Sequence, residues 1–135
     1  MPVTWRETDR PGWQVLDLTG HDLADLSAAR RWTEARLSTL DEAHRVDTVL
    51  VVGELLDNAY HHAGGPIQLR LHQVDDPCEV MVAVADHGGG VPHMRDPAHD
   101  GGRGLLLVDR ICRAWGVSDD EDGKTVWGRV PCTEP

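Results

Sequence analysis

Ile67, Leu69 and Leu71 alternate with Gln68, Arg70 and His72, the period-two pattern of a strand buried on one face. After the turn sequence Asp75-Asp76-Pro77, residues 79–85 are almost continuously apolar, which predicts a second strand folded back on the first as a hairpin. Upstream, residues 13–18 read as a first strand closed by Thr19-Gly20. Leu26, Ala29, Thr33, Leu37 and Leu40 recur at helical spacing, so an amphipathic helix is expected over 27–40. A longer helix is expected over 42–63, ended by Gly64-Gly65. Its stretch Val49-Leu50-Val51-Val52 also fits a buried strand, and composition alone leaves that alternative open.

Residues 87–104 are glycine-rich and irregular, and 105–112 read as a short buried helix. Trp115-Gly116-Val117 and residues 125–130 supply two last strands around a turn at 118–123. Hairpin strands with helices set between them predict an α+β fold. The expected form is a two-layer α/β sandwich with helices on one face of a mostly antiparallel, mixed sheet. No repeat, low-complexity tract or linker divides the 135 residues, so a single domain over 1–135 is expected.

Composition narrows the function classes. Hydrophobic residues at 40% and charged residues at 27% are an ordinary globular balance. A formal charge of −10 disfavours nonspecific contact with nucleic acid or an anionic membrane. It leaves room for a local phosphate cradle, which can override the global sign. No apolar run approaches the ~20 residues that span a bilayer. Met1-Pro2-Val3-Thr4-Trp5 has no signal-peptide pattern, so a cytoplasmic protein is expected. Cys78, Cys112 and Cys132 are odd in number and lack metal-type spacing, which predicts three reduced thiols. The five tryptophans, in a chain without Phe, read as packing residues.

Three segments carry candidate chemistry. In Glu54-Leu55-Leu56-Asp57-Asn58-Ala59-Tyr60-His61-His62-Ala63, helical spacing puts Glu54, Asn58 and His62 on one face. A carboxylate there can deprotonate a hydroxyl, and an amide oxygen one turn on can hold Mg²⁺. A polar face on a solvated helix is the plainer alternative. In Asp86-His87-Gly88-Gly89-Gly90-Val91-Pro92, an aspartate ends an apolar strand beside glycines that let a ligand approach the backbone. Such a carboxylate can accept a hydrogen bond from an adenine amino group; the alternative is a flexible turn. In Gly101-Gly102-Arg103-Gly104, glycines open a helix whose free N–H groups and dipole suit an anion. That segment is neither a Walker loop nor a dinucleotide fingerprint. His61 and His62 are adjacent and so diverge, and His87, His93 and His99 read as solvated rather than as metal ligands.

Taken in order, Glu54-x-x-x-Asn58, then Asp86-x-Gly88-x-Gly90, then Gly102-x-Gly104, then Gly123-Lys124-Thr125 resemble the Bergerat ATP-binding fold. That fold is shared by gyrase, the heat-shock chaperone, sensor histidine kinases and MutL. The resemblance runs over about residues 13–130. Within the superfamily it points to the RsbW-like anti-sigma-factor serine/threonine kinases. It implies ATP and Mg²⁺ as cofactors, Glu54 as catalytic base, Asn58 as Mg²⁺ ligand with His62 on the same face, and Asp86 as adenine reader with Thr125 beside it. Gly88 and Gly90 would shape the entrance to a lid over 91–101, and Gly102, Arg103, Gly104 and Leu105 would meet the phosphates. The implied partners are a STAS-domain anti-sigma-factor antagonist, which is phosphorylated, and a sigma factor; a homodimer is compatible with the family. One departure stands out: Asp57 replaces the usual Thr or Ser next to Asn58. Two other readings remain, a nucleotide-dependent binding module without phosphotransfer and, ranked last, a detached histidine-kinase catalytic domain. The latter wants a phosphoacceptor histidine on a preceding helical hairpin, which His21-Asp22 does not supply.

Overall fold

The computed structural model describes residues 3, 7–18, 23–62, 66–86, 103–120 and 123–132. Their order is a 3-10 turn η1 (Glu7–Asp9), β1 (Gln14–Asp17), α1 (Leu23–Arg36), α2 (Glu42–His62), β2 (Pro66–Asp75), β3 (Cys78–Asp86), α3 (Arg103–Ile111), β4 (Ala114–Asp120) and β5 (Gly123–Pro131). The strands make one sheet in the order β1-β2-β3-β5-β4, and each of the four pairings is antiparallel. The two-layer α+β sandwich is as expected, with no parallel pair among the described residues. None of the helices described is long and apolar enough to cross a membrane.

The stretch Val49-Leu50-Val51-Val52 is helical. Thr48, Val51, Val52, Leu55, Leu56 and Ala59 recur three and four apart and are all buried. Leu50 is turned outward at 43% exposure, so the stripe has the helical period and not the alternation of a strand. Each fully buried Val or Leu there contributes about 1.5–3 kcal/mol, far more than the slight helix penalty of β-branching. α2 thus lies across β3 and β5, with α1 and α3 packed beside it.

The first helix is displaced from its expected span of 27–40. Its apolar face is the expected one, for Ala29, Thr33 and Leu37 are fully buried, but helical geometry runs from Leu23 to Arg36. The chain then turns through a Leu40 N–H bond to the Leu37 carbonyl, because α2 starts at once. Asp41 caps that start: its Oδ1 accepts the His44 N–H at 2.8 Å, three residues into the helix. The buried Thr33 and Thr48 hydroxyls donate to the carbonyls of Ala29 and His44 one turn back, each at 2.8 Å.

The sheet has two apolar faces. Leu69, Leu71, Val80, Val82, Val84, Val126 and Val130 meet the helices, whereas Val3, Met81, Ala83 and Trp127 form a smaller cluster on the other side. The polar half of β2 is correspondingly less solvated than its alternation predicts. Arg70 is buried, with Nη1 donating to Thr8 Oγ1 and Asp9 Oδ1 at 2.7 Å and thereby strapping η1 over the sheet. Glu79, also buried, is held by Arg113 at 3.1 Å and Arg129 at 2.6 Å. β2 and β3 form the expected hairpin, with a cis peptide at Asp76-Pro77.

The expectation of three reduced thiols is overturned. Cys78 and Cys132 are joined in a disulfide across 54 residues, with their Cα atoms 5.5 Å apart. The antiparallel pairing of β3 with β5 brings the start of one strand to the end of the other, a proximity that spacing along the chain conceals. Cys112 stays a thiol; burial is the main cause that pushes it up to about 12, so it is inert near neutral pH.

Asp41→Ala removes the cap of the helix on which the core is assembled. We expect it to lower unfolding stability by about 1 kcal/mol, within the 0.5–2 usual for such a cap. Urea denaturation checks this, and an unchanged midpoint would mean that packing alone sets the start of α2.

Candidate nucleotide-binding site

Two elements place the described part of the site: the second half of α2 and the facing ends of β3 and β5. On α2 the apolar stripe that docks on the sheet leaves Glu54 and Asn58, four residues apart, at its half-buried margin. Burial is the first cause that raises the Glu54 carboxyl above the ordinary carboxylate range. Asp57, one turn on, raises it further, and the Arg30 guanidinium opposes both. Arg30 comes from α1, where it lies over the α2 backbone. A Cβ added at Gly53 would stand 3.0 Å from its Nη2, so Gly53 admits the guanidinium beside Glu54. Nothing in the sequence singles out Arg30, because its position is one of several polar sites on α1.

Asp57 itself is exposed. Helix geometry therefore aims the departing carboxylate away from the half-buried margin, while its charge still reaches Glu54. Asn58 presents an amide oxygen on the same face as Glu54, a hard donor of the kind that suits Mg²⁺. One such ligand is consistent with a cation that takes most of its shell from phosphate and water. His62 closes α2, and its side chain lies outside the described residues.

At the sheet, register decides which groups meet. Asp86 is the last residue of β3 and is paired with Lys124; Ala85 is paired with Thr125. Side chains alternate along a strand, so Asp86 and Lys124 share the helix-facing side with Val84 and Val126. Thr125 falls on the opposite face with Ala83 and Trp127. The structure thus separates the expected pair of Asp86 and Thr125 and puts Lys124 at the place opposite the aspartate. Asp86 and Lys124 are both buried, with Nζ 4.0 Å from Oδ2. A one-residue offset is enough to change the face, because the period of a strand is two.

α3 opens at Arg103-Gly104, with Leu105 half-buried and Val108 fully buried against the core. The N–H groups of its first turn have no partner within the helix, which keeps an anion site there chemically sound. Gly88, Gly90, Gly102, the segment 91–101, and His87, His93 and His99 lie outside the described residues.

The sequence profile of the histidine kinase-like ATPase domain matches residues 20–129. No curated protein matches the chain. Among solved structures, the chain is similar to the crystal structure of the RsbU and RsbW domains of Rv1364c from Mycobacterium tuberculosis. The TM-score is 0.69, at 16% identity and over 91% of this chain. The chain spans 33% of that longer one, and the likeness is one of fold.

The raised Glu54 carboxyl gives a pH signature with a definite sign. In the folded chain its neutral form is favoured, so its contribution to stability is fully present below the unfolded carboxylate value of about 4.3 and is lost as pH rises through the raised value. Glu54→Gln, uncharged throughout, should be more stable than the wild type at pH 7, with the gap closing towards pH 4. Urea midpoints at the two pH values test this; a less stable variant at pH 7 would mean that the carboxylate is stabilised by its surroundings.

Proposed function

Because the chain belongs to the histidine kinase-like ATPase family, we propose that it binds ATP at this site and transfers the γ-phosphoryl group to a serine or threonine of a partner protein. The observation that carries the proposal is the half-buried Glu54, held above its ordinary range, one turn from the amide of Asn58. A carboxylate raised in this way is a better proton acceptor near neutral pH than a solvated one. The acceptor hydroxyl attacks the γ-phosphorus in line, the bond to the β-phosphate oxygen breaks, and the hydroxyl proton passes to Glu54. Bound Mg²⁺, with Asn58 as its protein ligand, would offset the charge on the β- and γ-phosphates.

Asp86 takes the amino group of the base, at the end of the strand that α2 covers. Lys124 stands beside it in place of Thr125. The first turn of α3, from Arg103 through Gly104 and Leu105, would meet the phosphates, and Gly88, Gly90 and Gly102 keep the roles that the family resemblance implies. By the family resemblance, the acceptor is a STAS-domain anti-sigma-factor antagonist, and a sigma factor competes with it for the nucleotide-bound chain.

A second reading has an observation of its own. The Lys124 ammonium lies against the base-reading carboxylate, and Asp57 adds negative charge next to Asn58. Both would favour a chain that holds nucleotide and partner without transfer.

The two readings separate by variant. Asp86→Ala should weaken ATP and ADP to the same degree, since both carry the same base, and calorimetry with each nucleotide measures it. Glu54→Ala should leave nucleotide affinity nearly unchanged while transfer from labelled ATP to an antagonist falls by roughly 10²–10⁴. Asn58→Ala should weaken binding only when Mg²⁺ is present. Equal loss of binding in the Glu54 and Asn58 variants would make the pair structural, and no transfer by the wild-type chain to any antagonist would leave the binding module.

A further inference from the structure

Far from Asp86 along the same strand, three side chains of metal-ligating chemistry converge. His44 from the first turn of α2, Cys78 at the start of β3 and Cys132 just past β5 each offer a ligand atom, and these atoms lie within 4.8 Å of one another. We propose that His44, Cys78 and Cys132 form a Zn²⁺ site when the disulfide is reduced, and that the disulfide closes that site.

Zn²⁺ takes thiolate at ~2.3 Å and imidazole at ~2.0–2.1 Å, and tetrahedral bonds of those lengths need ligand atoms a little under 4 Å apart. The observed cluster falls within reach of that spacing by rotation of the cysteine side chains. The imidazole is also prepared for the task. His44 is buried, and its Nε2 lies 2.9 Å from the Val130 carbonyl. A carbonyl oxygen only accepts, so in the neutral ring Nε2 carries the proton and a metal would bind through Nδ1. A ring N–H committed to a backbone carbonyl is the usual support behind a metal-bound histidine.

Among the described residues, only His44, Cys78 and Cys132 group as ligands. Glu79 is the nearest acidic neighbour in sequence, but it points to the opposite face of β3, where Arg113 and Arg129 hold it. Cys78 is exposed and Cys132 half-buried, so water reaches the cluster and can fill a fourth position. Three protein ligands and one water make an open zinc site, in contrast to the closed four-ligand kind.

The chemistry balances in two steps. A dithiol reductant gives two electrons and two protons to the Cys78–Cys132 bond and closes its own disulfide, leaving two thiols. Zn²⁺ then binds as both thiols lose their protons to solvent. The ion would tie the start of α2 to β3 and β5 at the end of the sheet opposite Asp86.

The test uses the full chain, reduced with a phosphine and freed of it without air, titrated with Zn²⁺ against a chromogenic indicator. One Zn²⁺ per reduced chain is expected, and none in the oxidised chain. Cys78→Ser and Cys132→Ser should each lose at least the roughly 10–100-fold in affinity that removing even a supporting partner costs. Because His44 also holds the Val130 carbonyl, its replacement risks the fold, and Co²⁺ supplies the second readout. The reduced wild type should give a thiolate-to-cobalt band in the near ultraviolet that the double serine variant lacks. No stoichiometric binding by the reduced chain, binding undiminished in the double variant, or Co²⁺ bound without that band would each overturn the proposal.

Discussion

The pairing of β3 with β5 is the constraint on which the rest of the arrangement depends. Their antiparallel register sets Val80, Val82 and Val84 against the helices and, by the same alternation, delivers Asp86 to that side at the end of the strand. It also selects Lys124 over Thr125 as the neighbour of Asp86 and carries Glu79, Arg129 and Trp127 to the other face. A slip by one residue would turn Glu79 and Arg129 towards the helices and take the valines off them, so the core itself holds the polar groups in register. The same pairing brings Cys78 beside Cys132, with the Cys132 N–H donating to the Cys78 carbonyl at 3.0 Å.

α2 meets that sheet under two demands. Its stripe from Thr48 to Ala59 must be buried to close the core, and Glu54 and Asn58 must remain at the margin of the buried face. The margin is what makes Glu54 chemically distinct: it is desolvated enough to resist ionisation, yet not sealed off. Arg30, admitted by the absence of a side chain at Gly53, limits how far that resistance goes. Under the proposed function, stability and reactivity are coupled at one residue, since the surroundings that penalise the charged carboxylate would also make it the stronger proton acceptor.

Local periodicity was legible in the sequence. The hairpin of β2 and β3, the long helix and the short helix before β4 all follow from apolar spacing and turn residues. Order along the chain was legible too, and it led from Glu54 and Asn58 through Asp86 to the family. Boundaries and cross-strand meetings were not. The extent of α1 depends on where Asp41 captures the next helix, and the neighbour of Asp86 depends on register between segments 38 residues apart in number. The number and spacing of the cysteines predict three reduced thiols, but spacing says nothing of the contact that links positions 78 and 132. Arg30 and His44 acquire meaning only from what the fold puts next to them.

Amide chemical shifts of the labelled chain, followed as ADP and then Mg²⁺ are added, test the central claim that one nucleotide site joins the end of β3 to the second half of α2. The account predicts that Asp86, Lys124, Asn58 and the first turn of α3 shift together and saturably with ADP, with Asn58 responding again to Mg²⁺. His44, Cys78 and Cys132, at the far end of the sheet, should stay nearly still. Largest shifts on β1 or η1, or none that saturate, would contradict it.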